Sequence, residues 1–203
     1  IRLLGKGGGQ LWDHANGLDQ EPVRKYGDEP EVKSVSRGMT FKRDLVTESE
    51  VHTGLVILAD EVAATLRKQG LKGSTIQVQI KTPALKTVSR QTTLRHHTFP
   101  QHEILSEAKK LVMEHWFIGS TTPIRALTVG VTNLIPAEEA VEQIDLFETR
   151  LLEDDDRHLS EREQRERLEA AIDELRKKHG ADIITLGYPE NEDIGVGKRK
   201  LGD

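Results

Sequence analysis

Hydroxyl and amide side chains recur at every second residue in four separate stretches of this chain, and in that spacing they can hold an anion. Thr87, Ser89, Gln91 and Thr93 share one side of the stretch Thr87 to Leu94 if it is extended, because side chains alternate along a strand. Ser34, Ser36, Gly38 and Thr40 do the same, as do Thr75, Gln77, Gln79 and Lys81, and Ala126, Thr128, Gly130 and Thr132. If the four strands form one sheet, its outer face carries sixteen such positions without one acid or large apolar side chain. A face that is merely solvated recruits Glu and Lys together. Hydroxyls and amides beside small residues suit a polyanion lying flat, since they bond phosphate oxygens and let a backbone come close. An ordinary β-rich sheet is the plain alternative, because Thr favours strands anyway. A basic rim tips the balance: Lys33, Arg37, Lys42, Arg43, Lys81, Lys86, Arg90 and Arg125 fall in or beside these strands and mark out a phosphate track. From it Lys33, Ser34, Ser36, Arg37, Thr40, Lys86, Ser89, Arg90, Thr93 and Arg125 are taken as nucleic-acid contacts.

A second pattern is Gln143-Ile144-Asp145-Leu146-Phe147. The Gln143 amide can bond backbone at a pocket's mouth while Leu146 and Phe147 fill it, which makes a compact peptide ligand. A short helix that packs Val141, Ile144 and Phe147 on a sheet edge explains the same residues equally well. Catalytic patterns are missing. His96, His97 and His102 sit near a turn with neither Cys nor a carboxylate cluster, so no zinc site is expected. No Ser-His-Asp set, nucleotide-binding glycine motif or pair of strand-borne aspartates occurs, so neither a catalytic residue, a metal site nor a cofactor is assigned to this chain. Lys6-Gly7-Gly8-Gly9 lacks the ending of a P-loop and reads as a flexible turn.

The elements that must position these residues follow a β-α-β-β-α-β order over residues 33–135. Thr47 and Glu50 make a capping box that opens a helix closed by Gly70, with Leu55, Leu58, Ala59, Val62 and Leu66 as its buried stripe. Pro100 precedes a second helix with Ile104, Ala108, Leu111, Val112 and Trp116 on its apolar side and Gly119 at its end. A last strand spans about Ile124 to Leu134. The fold class expected is α+β: a four-stranded sheet with two helices on one face, which leaves the hydroxyl face bare. Before it, Leu11 to Asn16 reads as a short helix and Gln20 to Val32 as an extended linker. After it, a tail begins at Pro136. Glu153 to Asp156 reads as a solvated linker, Ser160 to His179 as a charged helix packed lightly through Leu168, Ala171, Ile172 and Leu175, Ala181 to Leu186 as one short strand, and residues 188–203 as mobile.

Charge separates the same parts. The net −5 averages a middle segment, 33–135, with 14 basic and 8 acidic residues, against a tail, 136–203, with 11 basic and 20 acidic. The middle is a basic domain followed by an acidic tail. Absence of Cys fits a reducing cytoplasm, and no apolar run near 18 residues or signal-peptide arrangement points to a membrane partner or export. Ile1 in place of Met leads to the expectation that the chain is part of something longer.

Gln10-Leu11-Trp12-Asp13-His14-Ala15-Asn16-Gly17-Leu18-Asp19, Lys33-Ser34-Val35-Ser36-Arg37-Gly38 and Val88-Ser89-Arg90-Gln91, in this order, resemble the C-terminal half of the Y-family (translesion) DNA polymerases, and within them the polymerase IV/V-like enzymes of Gram-positive bacteria. Ala171 to Gly180 resembles the tail of those relatives. The resemblance implies the end of a thumb domain at 1–23, a linker at 24–32, a little finger domain at 33–135 laid along the DNA major groove, a segment at 136–150 for the bacterial sliding clamp (the beta subunit), and a charged tail at 151–203. Arg37, Thr40, Ser89, Thr93 and Arg125 match family positions that touch primer-template DNA. Gln143, Leu146 and Phe147 match the clamp-binding peptide. Ala126, Gly130 and Thr92 stand where some relatives carry arginine. The intact enzyme is implied to transfer nucleotides with two Mg²⁺ ions held by a palm domain that this chain does not contain. A stand-alone ferredoxin-like nucleic-acid-binding module is the alternative; stacking aromatics are absent from its outer strand positions.

Overall fold

The computed structural model of the protein describes residues 4–19, 21–23, 25, 27, 31–117, 122–140, 152–180, 183–184 and 194–195. The chain divides into two units, Ile1–Glu31 and Val32–Asp203. In the first, helix α1 spans Gly5–Ala15 and ends where the Asn16 amide donates to Trp12 and Asp13 oxygens, both at 3.1 Å. The run Lys6 to Gly9 therefore lies inside a helix and is not the turn expected of it. Glycine costs about 1 kcal/mol per residue there relative to alanine, and nothing in the described contacts of this unit explains its helicity.

The second unit is organised by β1 (Ser34–Leu45), α2 (Glu48–Gln69), β2 (Leu71–Lys81), β3 (Thr87–Thr98), α3 (Gln101–Val112) and β4 (Ile124–Pro136). Local signals set the limits of α2. The Thr47 hydroxyl accepts from the Glu50 amide at 3.2 Å, and the Glu50 carboxylate accepts in return from the Thr47 and Val46 amides at 3.0 and 2.7 Å. Gly70, in the left-handed region, ends the helix. A π-helical turn over Met113–Phe117 extends α3. The strands pair antiparallel in the order β1-β4-β2-β3. Leu55, Leu58, Ala59, Val62 and Leu66 of α2 and Ile104, Ala108 and Val112 of α3 are fully buried against Ile76 and Val78 of β2 and Leu127, Val129 and Val131 of β4. Each Leu, Ile and Val among these is worth about 1.5–3 kcal/mol relative to exposure. Both helices lie on the side opposite the hydroxyl positions, and the α+β class holds.

The tail departs from the reading made of it. β4 continues to Pro136, which pairs with Leu71. Helix α4 spans Leu152–His179 and so includes the acidic run Glu153 to Asp156 expected as a linker; acids at a helix N-terminus favour the dipole, which is why such a run can start a helix. The expected apolar stripe packs only at Ile172, which is half-buried: Leu168 is 60% exposed and Leu175 44%. A charged stripe at Glu166, Glu169, Asp173 and Arg176 faces the domain instead. Arg67 of α2 pairs with Glu169 and Asp173, Lys72 of β2 with Glu166 at 3.2 Å, and Arg176 with Asp60 of α2 at 3.0 Å. Glu169 also accepts from the Gln101 amide at 2.9 Å, so α4 caps the N-terminus of α3, whose own N-cap residue, Pro100, has no capping side chain. Ile183 and Ile184 form no strand, and the rest of Ala181 to Leu186 lies outside the described residues. Ile194, in the stretch expected to be mobile, is fully buried in the core, and its carbonyl accepts from the Lys42 amide at 3.1 Å. The apolar side chain of Ile194 and the irregular pairing of β1 between Thr40 and Leu45 explain this: the break leaves an amide free to take a partner.

Candidate nucleic-acid interface

Strand register decides whether the sixteen alternating positions share one face, and it aligns them into four rungs. Ser34, Thr132, Thr75 and Thr93 form the first; Ser36, Gly130, Gln77 and Gln91 the second; Gly38, Thr128, Gln79 and Ser89 the third; Thr40, Ala126, Lys81 and Thr87 the fourth. No rung is slipped, so every one of these side chains emerges on the side away from the helices. The Thr75 and Thr93 hydroxyls bond across the first rung at 3.1 Å. The small residues fit closely where they stand. A Cβ on Gly38 would lie 2.7 Å from the Thr128 hydroxyl oxygen, and one on Gly130 would lie 3.1 Å from the Ser36 Cβ. The β1–β4 half is therefore shallow, and the β2–β3 half carries the longer Gln and Lys side chains. Lys81 supplies the face's single charge.

The ten sequence-assigned contacts are all exposed. Ser34, Ser36, Thr40, Ser89 and Thr93 stand together on the face. Lys33 precedes β1, and Lys86 lies in the turn before β3, where its carbonyl accepts from the Thr82 amide at 2.9 Å. Arg37, Arg90 and Arg125 alternate with the face rather than belonging to it. Arg37 donates to the Thr65 hydroxyl of α2 at 3.0 Å and to its neighbour's carbonyl at 2.9 Å. Arg90 donates to the Ser89 carbonyl at 2.8 Å, and Arg125 meets Asp44 at 3.4 Å. Arg37 and Arg90 occupy the two edge strands, so these arginines are rim groups that reach past the sheet rather than rise from it. Arg43, also on the rim, is paired with Glu50. Burial pushes the Glu50 carboxyl up, but the Val46 and Thr47 amides and the Arg43 guanidinium outweigh it and hold the group below its ordinary value.

Pairings such as Arg125 with Asp44 have no sequence signal, because the two residues are distant in the chain. The glutamines Gln77, Gln79 and Gln91 were visible as face positions but were not assigned as contacts. His96 bonds Glu103 at 2.9 Å, and His102 lies 3.9 Å from Glu169. Among the described residues no group of three His, Asp or Glu side chains could hold a metal ion. Among them too, no helix is long and apolar enough to cross a membrane. Gln143, Leu146 and Phe147 lie outside the described residues.

The impB/mucB/samB family C-terminal domain matches residues 32–146. DNA polymerase IV of Acetivibrio thermocellus is 36% identical over 187 residues, which are 92% of this chain and 44% of that protein. DNA polymerase IV 1 of Bacillus subtilis is 31% identical over 189 residues, 92% of this chain and 42% of its own length. The chain thus spans less than half the length of the curated relatives it matches. A solved complex of the beta-clamp processivity factor with the little finger domain of PolIV aligns with 56% of this chain and 97% of that one at 18% identity and a TM-score of 0.43.

Proposed function

The chain belongs to the impB/mucB/samB family through its C-terminal domain, and from that membership we propose that it is the DNA-holding part of a Y-family translesion DNA polymerase of the DNA polymerase IV kind. Residues 33–135 act as the little finger, residues 1–23 as the end of the thumb, and the bound species is primer-template DNA. The observation that carries this is the four-rung face: sixteen aligned positions without a carboxylate, over a sheet whose other side packs Val35, Ile76, Val78, Leu127, Val129 and Val131 into the core. Ser34, Ser36, Thr40, Ser89 and Thr93 bond the phosphate backbone, and Lys33, Arg37, Lys86, Arg90 and Arg125 reach it from the rim. Such contacts position a duplex without reading its sequence, which suits an enzyme that must accept any template.

The intact polymerase works in the cytoplasm and transfers nucleotides with two Mg²⁺ ions held by its palm domain. Gln143, Leu146 and Phe147 recruit the sliding clamp. That reading is supported by the residue types and by their place a few residues after β4. A gel-shift titration tests the whole: the 203-residue chain should retard primer-template DNA and bind single-stranded RNA of equal length far more weakly. Equal affinity for the two, or preference for RNA, would instead favour the stand-alone RNA-binding module.

A further inference from the structure

We propose that Gln77, Gln79 and Gln91 form an uncharged amide track that holds nucleic acid by neutral hydrogen bonds, giving a part of the affinity that salt does not remove. The inference rests on the reading of the face as a DNA surface and adds the residues and the kind of force. Register places Gln77 directly across from Gln91, and Gln79 beside them, opposite Ser89 and Thr128. Directly paired Cβ atoms in such a ladder lie about 4.5–5.5 Å apart, so three primary amides crowd the centre of the β2–β3 half. Each amide carries two donors and an acceptor oxygen. Among the described residues none of the three is hydrogen-bonded by its side chain, although neighbouring Thr75 and Thr93 bond each other. Their bonding capacity faces outward, next to a half made shallow by Gly38 and Gly130.

The rim points the same way. Arg125 and Arg43 are engaged by Asp44 and Glu50, and Arg37 is held toward α2 by Thr65. An arginine already neutralised by a carboxylate releases few counterions when it swings to a phosphate, because the net charge of its pair is near zero. On the face itself only Lys81 brings a charge. Ligands that neutralise phosphates lose affinity with salt in proportion to the charges used; amide bonds to phosphate, sugar or base-edge oxygens and nitrogens carry no such dependence. The face is thus built to keep hold of a duplex when its electrostatic share is screened.

The test measures binding of the 203-residue chain to primer-template DNA across a salt series. The triple variant Gln77→Ala, Gln79→Ala, Gln91→Ala should bind on the order of tenfold or more weakly at every salt concentration, with the slope of log K against log salt unchanged. Lys81→Ala should do the opposite, lowering the slope by about one. If the alanine triple melts early, the near-isosteric Met triple takes its place. Affinity equal to wild type in a folded triple variant overturns the proposal, and so does a slope that falls by one or more. If the wild-type chain binds no primer-template DNA at any salt, the nucleic-acid reading itself falls, a result distinguishable from either of these.

Discussion

Arg176→Ala tests how the tail is held. The Arg176 guanidinium donates to both Asp60 oxygens at 3.0 Å and to the Ile184 carbonyl at 3.0 and 3.2 Å. The Arg176 and Asp60 side chains are 11% and 9% exposed, so water compensates little when one is removed. Breaking a buried pair by deleting one partner costs about 3–5 kcal/mol, because the remaining charge keeps its desolvation penalty. The lower figure applies here, since α4 retains its contacts through Glu166, Glu169 and Asp173. Replacing both partners by apolar side chains, Asp60→Leu with Arg176→Met, should recover most of the loss, as the desolvation cost disappears with the charges. Urea unfolding of wild type, Asp60→Leu, Arg176→Met and the double gives a complete cycle, with Arg176→Ala measured beside it. The expected coupling exceeds about 2 kcal/mol. A cost below about 1 kcal/mol for Arg176→Ala, or additive single effects, would refute the account of α4 as docked by charge and leave it as a surface appendage.

Two further outcomes follow from particular contacts, and a third from the Gln143–Phe147 sequence. The folded Glu50 carboxyl titrates below its unfolded value, so its contribution is fully present above the ordinary carboxylate range and is lost as pH falls through the lower folded value; thermal melts from about pH 6 to 3 should fall less steeply in Glu50→Gln than in wild type, and parallel curves would contradict this. Gly195 has φ +86, and a Cβ there would lie 2.5 Å from the Lys42 Cβ and 3.0 Å from its amide nitrogen; Gly195→Ala should unseat Ile194, so that hydrogen exchange at the Lys42 amide accelerates, whereas unchanged protection would show that the seat is not formed in solution. Replacing Leu146 and Phe147 by Ala should abolish calorimetrically detected binding to a bacterial sliding clamp while moving the melting temperature little; a large drop in melting temperature together with no wild-type clamp binding would assign these residues to a packed helix instead.

Much of the domain was legible before folding because its signals are local. Thr47, Glu50 and Gly70 bound α2 through bonds made within a few residues, and the period-two hydroxyls of Ser34 to Thr40 or Thr87 to Thr93 follow from strand geometry alone. The membership of the candidate face was equally readable, since alternation decides which residues rise together once a sheet is granted. The neighbours across the sheet were not readable. That Gln77 meets Gln91, or that Gly38 lies close against Thr128, depends on register between strands, and register is settled by how the apolar faces of the strands fit under α2 and α3. The direction of the rim arginines likewise depends on partners far away in the chain, Thr65 for Arg37 and Asp44 for Arg125. The tail shows the limit most plainly. Hydrophobic periodicity pointed to Leu168 and Leu175 as its packing side, but α4 docks through Glu166, Glu169, Asp173 and Arg176. A charged stripe carries no sign in sequence of whether it meets water or complementary charge; only the tertiary structure, which brings Arg67, Lys72 and Asp60 against it, decides.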